Sequence, residues 1–118
     1  SGLCVFLPYN YSKGAEIVQA ITGWDTTTWE LLKVGERGTT MARAFNILSG
    51  FTKADDSFPK RIHEPFKDGP IAGVKYSKAK LSEAVGVYYD MMGWDKKTGI
   101  PTRGKLQELD IEWVADML

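Results

Sequence analysis

The feature that most constrains this chain is a run of apolar residues between positions 31 and 48 whose spacing alternates between three and four. That spacing places them on one stripe of an α-helix. Ser49-Gly50 follows, and glycine tolerates the left-handed conformation found at helix ends. The sequence therefore predicts a long amphipathic helix that ends near Leu48. Its apolar stripe consists of Leu31, Val34, Gly38, Met41, Phe45 and Leu48, and its polar side of Glu36, Thr39, Arg43 and Asn46.

The rest of the chain predicts an all-α fold: an irregular bundle of about five helices in a single domain, 1–118. Residues 1–14 are expected to be extended. Strand signals are weak, and three prolines interrupt a long predicted loop at about 50–77. The predicted helices span 15–22, about 28–48, 77 or 78 to 92, 102–109, and a last one capped by Asp110. The predicted buried positions of the later helices are Leu81, Ala84, Val85, Tyr88, Met91, Met92, Leu106, Leu109, Ile111, Val114 and Met117.

Several local signals refine these helices. Thr27 and Glu30 have the spacing of a capping box, in which each side chain satisfies a free backbone amide of the other. Gly35 and Gly38 lie inside the long helix, where glycine costs roughly 1 kcal/mol relative to alanine. Close packing against another backbone is the favoured explanation, and approach of a ligand is the alternative.

Composition excludes several functions. The chain has 15 basic and 15 acidic residues, which argues against nucleic-acid binding. No apolar run reaches the roughly 20 residues that span a bilayer, so no membrane partner is expected. Cys4 is the single cysteine, so no intramolecular disulfide is possible, and a cytoplasmic location is compatible.

No self-contained active site is evident, and no catalytic residue is predicted. Cys4 and His63 are the only candidates for a nucleophile–base pair, and neither lies in a supporting motif. His63 is expected on a polar surface loop. Asp55 and Asp56 are adjacent acids. A role in a turn or helix start is favoured over acid–base chemistry, because the partners that such chemistry needs are not evident. Glu36 and Arg43, seven residues apart on one helix face, are expected to pair with other elements in a structural network.

Four groups of residues in the central region carry a resemblance to a known family. They are Gly35-Glu36-Arg37, Arg43 to Asn46, Ser49 to Thr52, and Asp55 to Arg61. In this order and spacing they resemble the C-terminal region of the aldehyde:ferredoxin oxidoreductase family. The likeness continues through Tyr88-Tyr89, Gly93-Trp94-Asp95 and the segment from Gly99 to Leu106. It departs at 38–41, which is more apolar in the family, and at Phe58, where leucine is usual.

The resemblance also implies cofactor-binding residues. Gly2-Leu3-Cys4-Val5 matches the end of the family motif Asp-x-x-Gly-Leu-Cys-x, whose aspartate would precede Ser1. In that family the cysteine ligates a [4Fe–4S] cluster, and thiolates are the ligands that such clusters require. Cys4 is thus implied as a metal ligand, with Gly2, Leu3 and Val5 beside a pterin. A buried free cysteine is the alternative.

The implied function is that of a larger enzyme. An apolar start without methionine suggests a C-terminal piece of a longer chain. The whole enzyme would oxidise aldehydes to carboxylic acids at a tungsten or molybdenum bis-pterin centre and pass electrons through the cluster to ferredoxin. Its partners would be the upstream domains, aldehyde and ferredoxin, and residues 1–118 alone are expected to be inactive and to bind no cofactor. The alternative is a free-standing helical module that binds a protein through exposed aromatic side chains.

Overall fold

The computed structural model describes Phe6 and residues 10–118. The four α-helices of this part are α1 (Tyr11–Thr22), α2 (Thr28–Leu48), α3 (Lys78–Met92) and α4 (Arg103–Glu108). Three short 3₁₀ helices span Lys53–Asp55, Lys60–His63 and Glu112–Asp116. The extended pairing in the described residues is a single isolated bridge between Trp94 and Pro101. The predicted all-α class is confirmed, and none of the described helices is long and apolar enough to cross a membrane.

The chain divides into two compact units, residues 1–39 and residues 40–118. In the first unit, the Asn10 side chain caps α1 by accepting from the amide of Lys13, and Gly23 ends the helix with a φ of 74°. α1 is one turn longer than predicted, since the extended stretch was expected to reach residue 14. The capping box of Thr27 and Glu30 is confirmed, because each accepts a hydrogen bond from the other's amide.

The second unit is organised around a small apolar core. Leu106, Leu109, Ile111 and Val114 are each at most 4% exposed and pack with Ala44 of α2. The predicted burial of these four residues is confirmed. Met117, also predicted inside, is exposed, and the last helix is a 3₁₀ helix whose N-cap is Ile111 rather than Asp110.

α3 has the predicted bounds but not the predicted buried face. Ser77 caps its start by accepting from the amide of Lys80, and Gly93 ends it in the left-handed conformation. Gly86 and Tyr89 are its buried residues, whereas Ala84, Tyr88 and Met91 are exposed. The helix thus turns Tyr89 inward.

α2 likewise departs from the expected pattern. Its buried residues are Thr40, Arg43 and Ala44, while Met41, Phe45 and Leu48 on the apolar stripe are exposed. The prediction that another backbone packs closely at Gly35 and Gly38 is also wrong for the described residues. A methyl group added at either glycine would meet no atom within 4 Å. The predicted long loop contains two 3₁₀ helices, Lys53–Asp55 and Lys60–His63.

Candidate functional site

The predicted cofactor segment lies outside the described residues. Gly2, Leu3, Cys4 and Val5 belong to the part of the chain of which the structure says nothing, so their roles stay predictions. Within the described part, no group of three or more His, Cys, Asp or Glu side chains could hold a metal ion. The chain's single cysteine could supply at most one of the thiolates that a [4Fe–4S] cluster needs, so the remaining ligands would have to come from elsewhere.

The polar centre of the second unit is a buried ion pair. The Arg43 guanidinium donates to both carboxylate oxygens of Asp56, with N–O distances of 2.8 Å. Arg43 Nε also donates to the carbonyl of Gly99 at 2.9 Å, and the Tyr89 hydroxyl donates to Asp56. Arg43 is 8% exposed and Asp56 is 28% exposed. One guanidinium therefore joins α2, the loop after it, α3 and the turn around Gly99.

Aromatic rings enclose the guanidinium. Its central carbon lies 5.5 Å from the centroid of the Tyr89 ring and 5.4 Å from that of Trp94, within the range of cation–π attraction. Tyr88 packs edge-on against Trp94 with centroids 5.6 Å apart. Gly99 closes the remaining side, since a side-chain carbon placed there would lie 2.9 Å from the Tyr89 hydroxyl oxygen. Tyr89, Trp94 and Gly99 thus pack around the Arg43 guanidinium.

The electrostatics fix the protonation state of each member. Burial by itself would raise the pKa of Asp56, but hydrogen bonds from Arg43 and Tyr89 outweigh it and the pKa is lowered. Burial and the hydrogen bond to Asp56 together raise the pKa of Tyr89 to about 12. Burial opposes the charge of Arg43, yet its bond to Asp56 raises its pKa. At neutral pH the site is an arginine cation, a carboxylate and a neutral phenol, an arrangement suited to structure rather than proton transfer.

The adjacent acids of the loop have separate roles. Asp55 accepts from the amide of Thr52 at 2.8 Å in a capping box, which confirms the predicted role at a helix start. Asp56 turns the other way and pairs with Arg43. The expected pairing of Arg43 with other elements is confirmed, but Asp56 was not predicted as its partner. Glu36 pairs with Lys33 of the same helix at 2.7 Å. The signal available in the sequence was the small size of Thr40 and Ala44, which share a helix face with Arg43. Small side chains there let other segments approach α2 closely.

The same chain has clear relatives among known proteins. The family model described as "Aldehyde ferredoxin oxidoreductase, domains 2 & 3" matches residues 1–111. The chain is a helical part of a redox-enzyme family. It belongs to the aldehyde ferredoxin oxidoreductase family.

Individual relatives agree with this assignment. The tungsten-containing aldehyde ferredoxin oxidoreductase of Pyrococcus furiosus is 37% identical over 94% of this chain, and that of Thermococcus kodakarensis is 36% identical over 94%. The chain spans 18% of the length of each. A solved structure, the active-site complex BamBC of benzoyl coenzyme A reductase with 1,5-dienoyl-CoA, superposes with a TM-score of 0.75 and 27% identity. The superposition covers 93% of this chain and 15% of the chain in that structure.

Proposed function

We propose that this chain is the C-terminal helical part of a tungsten-dependent aldehyde:ferredoxin oxidoreductase. The complete polypeptide would oxidise aldehydes to carboxylic acids in the cytoplasm and deliver the electrons to ferredoxin. The observation that carries this proposal is the family match over residues 1–111, together with 37% identity to a tungsten-containing member across 94% of the chain.

The chain's own contribution would be one ligand and a supporting wall. The Cys4 thiolate would ligate one iron of a [4Fe–4S] cluster, with Gly2, Leu3 and Val5 against a pterin. When bound, the tungsten–pterin centre would supply the two-electron oxidation and the cluster a one-electron route out. The Arg43–Asp56 pair holds the loop after α2 against α2, and the Tyr89 hydroxyl ties the same loop to α3. This surface would help to wall the substrate channel. Since a single cysteine cannot hold a [4Fe–4S] cluster, residues 1–118 alone are expected to be inactive.

Metal analysis of the complete natural polypeptide, purified without oxygen, tests the proposal. We expect tungsten and about four irons per chain, and aldehyde oxidation coupled to a ferredoxin or a dye. Cys4→Ala should lose iron, while Ser1→Ala, an equally small change three residues away, should not. Iron retained by Cys4→Ala would contradict the ligand role of Cys4, but not the rest of the proposal.

The interaction module remains the second candidate, because several aromatic side chains are well exposed: Trp24, Trp29, Tyr76 and Trp113. A complete polypeptide free of iron and tungsten, and without aldehyde oxidation, would overturn the oxidoreductase proposal and favour this module.

A further inference from the structure

A cavity of about 360 Å³ opens in the second unit between the loop after α2 and the first two turns of α3. This volume is near the lower end of the range of small-molecule sites. The loop contributes Lys53, Phe58 and Lys60, and α3 contributes Lys78, Leu81 and Val85, with two serines, His63 and Asp56 also in the lining. The family match says nothing about a ligand here.

The cavity is electropositive. Asp56 is its only carboxylate, and both of its oxygens are already bonded to the Arg43 guanidinium. Lys60 and Lys78 form no ion pair within the described part of the chain. Lys53 donates to the carbonyl of Lys96 at 2.8 Å, lies 5.7 Å from the centroid of the Tyr89 ring and interacts electrostatically with Asp56, so its ammonium group is already engaged. Lys60 and Lys78 therefore add positive charge to a cavity whose one lining carboxylate, that of Asp56, is already paired with Arg43, which favours an anionic occupant.

The wall between the lysines is apolar. Leu81 and Val85 are four residues apart on α3, so they lie on one face of that helix. Phe58 adds an aromatic ring that is 54% exposed. The hydroxyls of Ser57 and Ser82 supply hydrogen-bond donors at the same surface. Such a lining suits a molecule with a charged head and an apolar body better than a bare inorganic ion.

His63 stabilises this wall from the loop side. Its Nδ1 lies 2.8 Å from the carbonyl oxygen of Tyr76. Since a carbonyl can only accept, Nδ1 must carry the hydrogen. This bond ties the Lys60–His63 turn to the residue just before the cap of α3. The two sides of the cavity are thus held together by the chain's own contacts, as a preformed site requires.

We propose that this cavity binds a small organic anion, whose carboxylate or phosphate head is held by Lys60 and Lys78 while its apolar body packs on Phe58, Leu81 and Val85. The proposal depends on the cavity alone and not on the oxidoreductase function. An acidic polypeptide segment lying in the cavity is the competing occupant.

The test uses lysine acetylation, followed residue by residue with mass spectrometry, in the complete natural polypeptide. Benzoate and phenyl phosphate are the probes, benzyl alcohol is the neutral molecule of similar size, and inorganic phosphate is the anion without an apolar body. We expect benzoate or phenyl phosphate to slow the labelling of Lys60 and Lys78 several-fold and to leave Lys80, on the same helix but outside the lining, unchanged. Which of the two protects at lower concentration identifies the preferred head group.

Matched variants separate charge from shape. Lys78→Gln should weaken protection of Lys60 by the better probe about tenfold, the loss expected for one charge-assisted hydrogen bond. Lys80→Gln removes the same charge from the same helix and should change nothing. Phe58→Ser should weaken protection by benzoate and phenyl phosphate, because the ring supplies the apolar contact. It should not change protection by inorganic phosphate.

Three results would overturn the proposal. They are protection by benzyl alcohol equal to that by benzoate, protection by inorganic phosphate equal to that by phenyl phosphate, and Lys60 and Lys78 that do not react in the complete protein without ligand. The last result would place a polypeptide segment in the cavity. Metal content and aldehyde oxidation are measured separately, so failure here leaves the proposed function untouched.

Discussion

The two faces of α2 within the second unit are opposite in chemistry and in burial. Thr40, Arg43 and Ala44 form the buried face, and Arg43 is 8% exposed. Phe45, one residue further on, is 69% exposed, and Met41 and Leu48 on its side are exposed as well. The contacts of α2 in this unit therefore form on the face of Thr40, Arg43 and Ala44, called the polar face: Arg43 bonds to Asp56, and Ala44 packs against the apolar core. The apolar face remains available to something beyond the described residues, a condition typical of interaction surfaces.

The largest effect is expected from Arg43→Met, which keeps side-chain length but removes the charge. It should lower the free energy of unfolding of the 118-residue chain by about 3 kcal/mol, because Asp56 is left partly buried without its partner. Urea denaturation followed by circular dichroism measures this. The double variant Arg43→Met/Asp56→Leu should lose less, since no unpaired charge remains. A single variant within 1 kcal/mol of the parent would mean that the polar face does not organise the fold.

A second comparison sets Gly99, beside the buried face, against Gly38, on the exposed stripe. Gly99→Ala should cost about 2 kcal/mol, because φ is 73° there and the new methyl group would crowd Arg43 and Tyr89. Gly38→Ala should instead stabilise the chain by up to about 1 kcal/mol, since its helical site is open. The same denaturation assay serves for both. Equal effects of the two substitutions would contradict the difference in packing.

Tyr89→Phe tests the hydrogen bond to Asp56 and its pH dependence. At neutral pH the loss should be about 1.5–2 kcal/mol, as for a hydrogen bond to a charged acceptor. The pKa of Tyr89 is raised to about 12 in the folded chain, against about 10 when unfolded. Its contribution is therefore complete below pH 10 and is lost as the pH rises from 10 to 12.

The measurement is stability as a function of pH in the alkaline range. Tyr89→Phe should lose stability less steeply than the parent between pH 10 and 12. Tyr88→Phe, a neighbouring and 45% exposed control, should follow the parent curve. Parallel curves for Tyr89→Phe and the parent would show that folding does not raise the pKa of Tyr89.

These comparisons also explain which features the sequence could predict. Caps depend on residues within one turn of each other, so Ser77, Gly93 and the pair Thr27–Glu30 were predictable from local chemistry. The Arg43–Asp56 bond crosses an irregular loop, and no periodicity specifies its register. The apolar stripe of α2 was recognised, but a pattern identifies an apolar face without saying what covers it. The predicted ligand role of Cys4 rests only on family resemblance.

The smallest effect on stability, and the sharpest test of the exposed face, is expected from Phe45→Ser. Because Phe45 is 69% exposed, the free energy of unfolding should change by no more than about 0.5 kcal/mol. Its effect should appear instead in self-association: residues 1–118 alone should associate through exposed apolar side chains, and Phe45→Ser should shift that equilibrium toward monomer. Size-exclusion chromatography over a dilution series measures it, with Asn46→Ser at the exposed neighbouring residue as the control.

A parent chain that stays monomeric at every concentration would mean that the apolar face of α2 does not bind other copies of itself. A parent that associates and is unaffected by Phe45→Ser would assign the association to other exposed side chains.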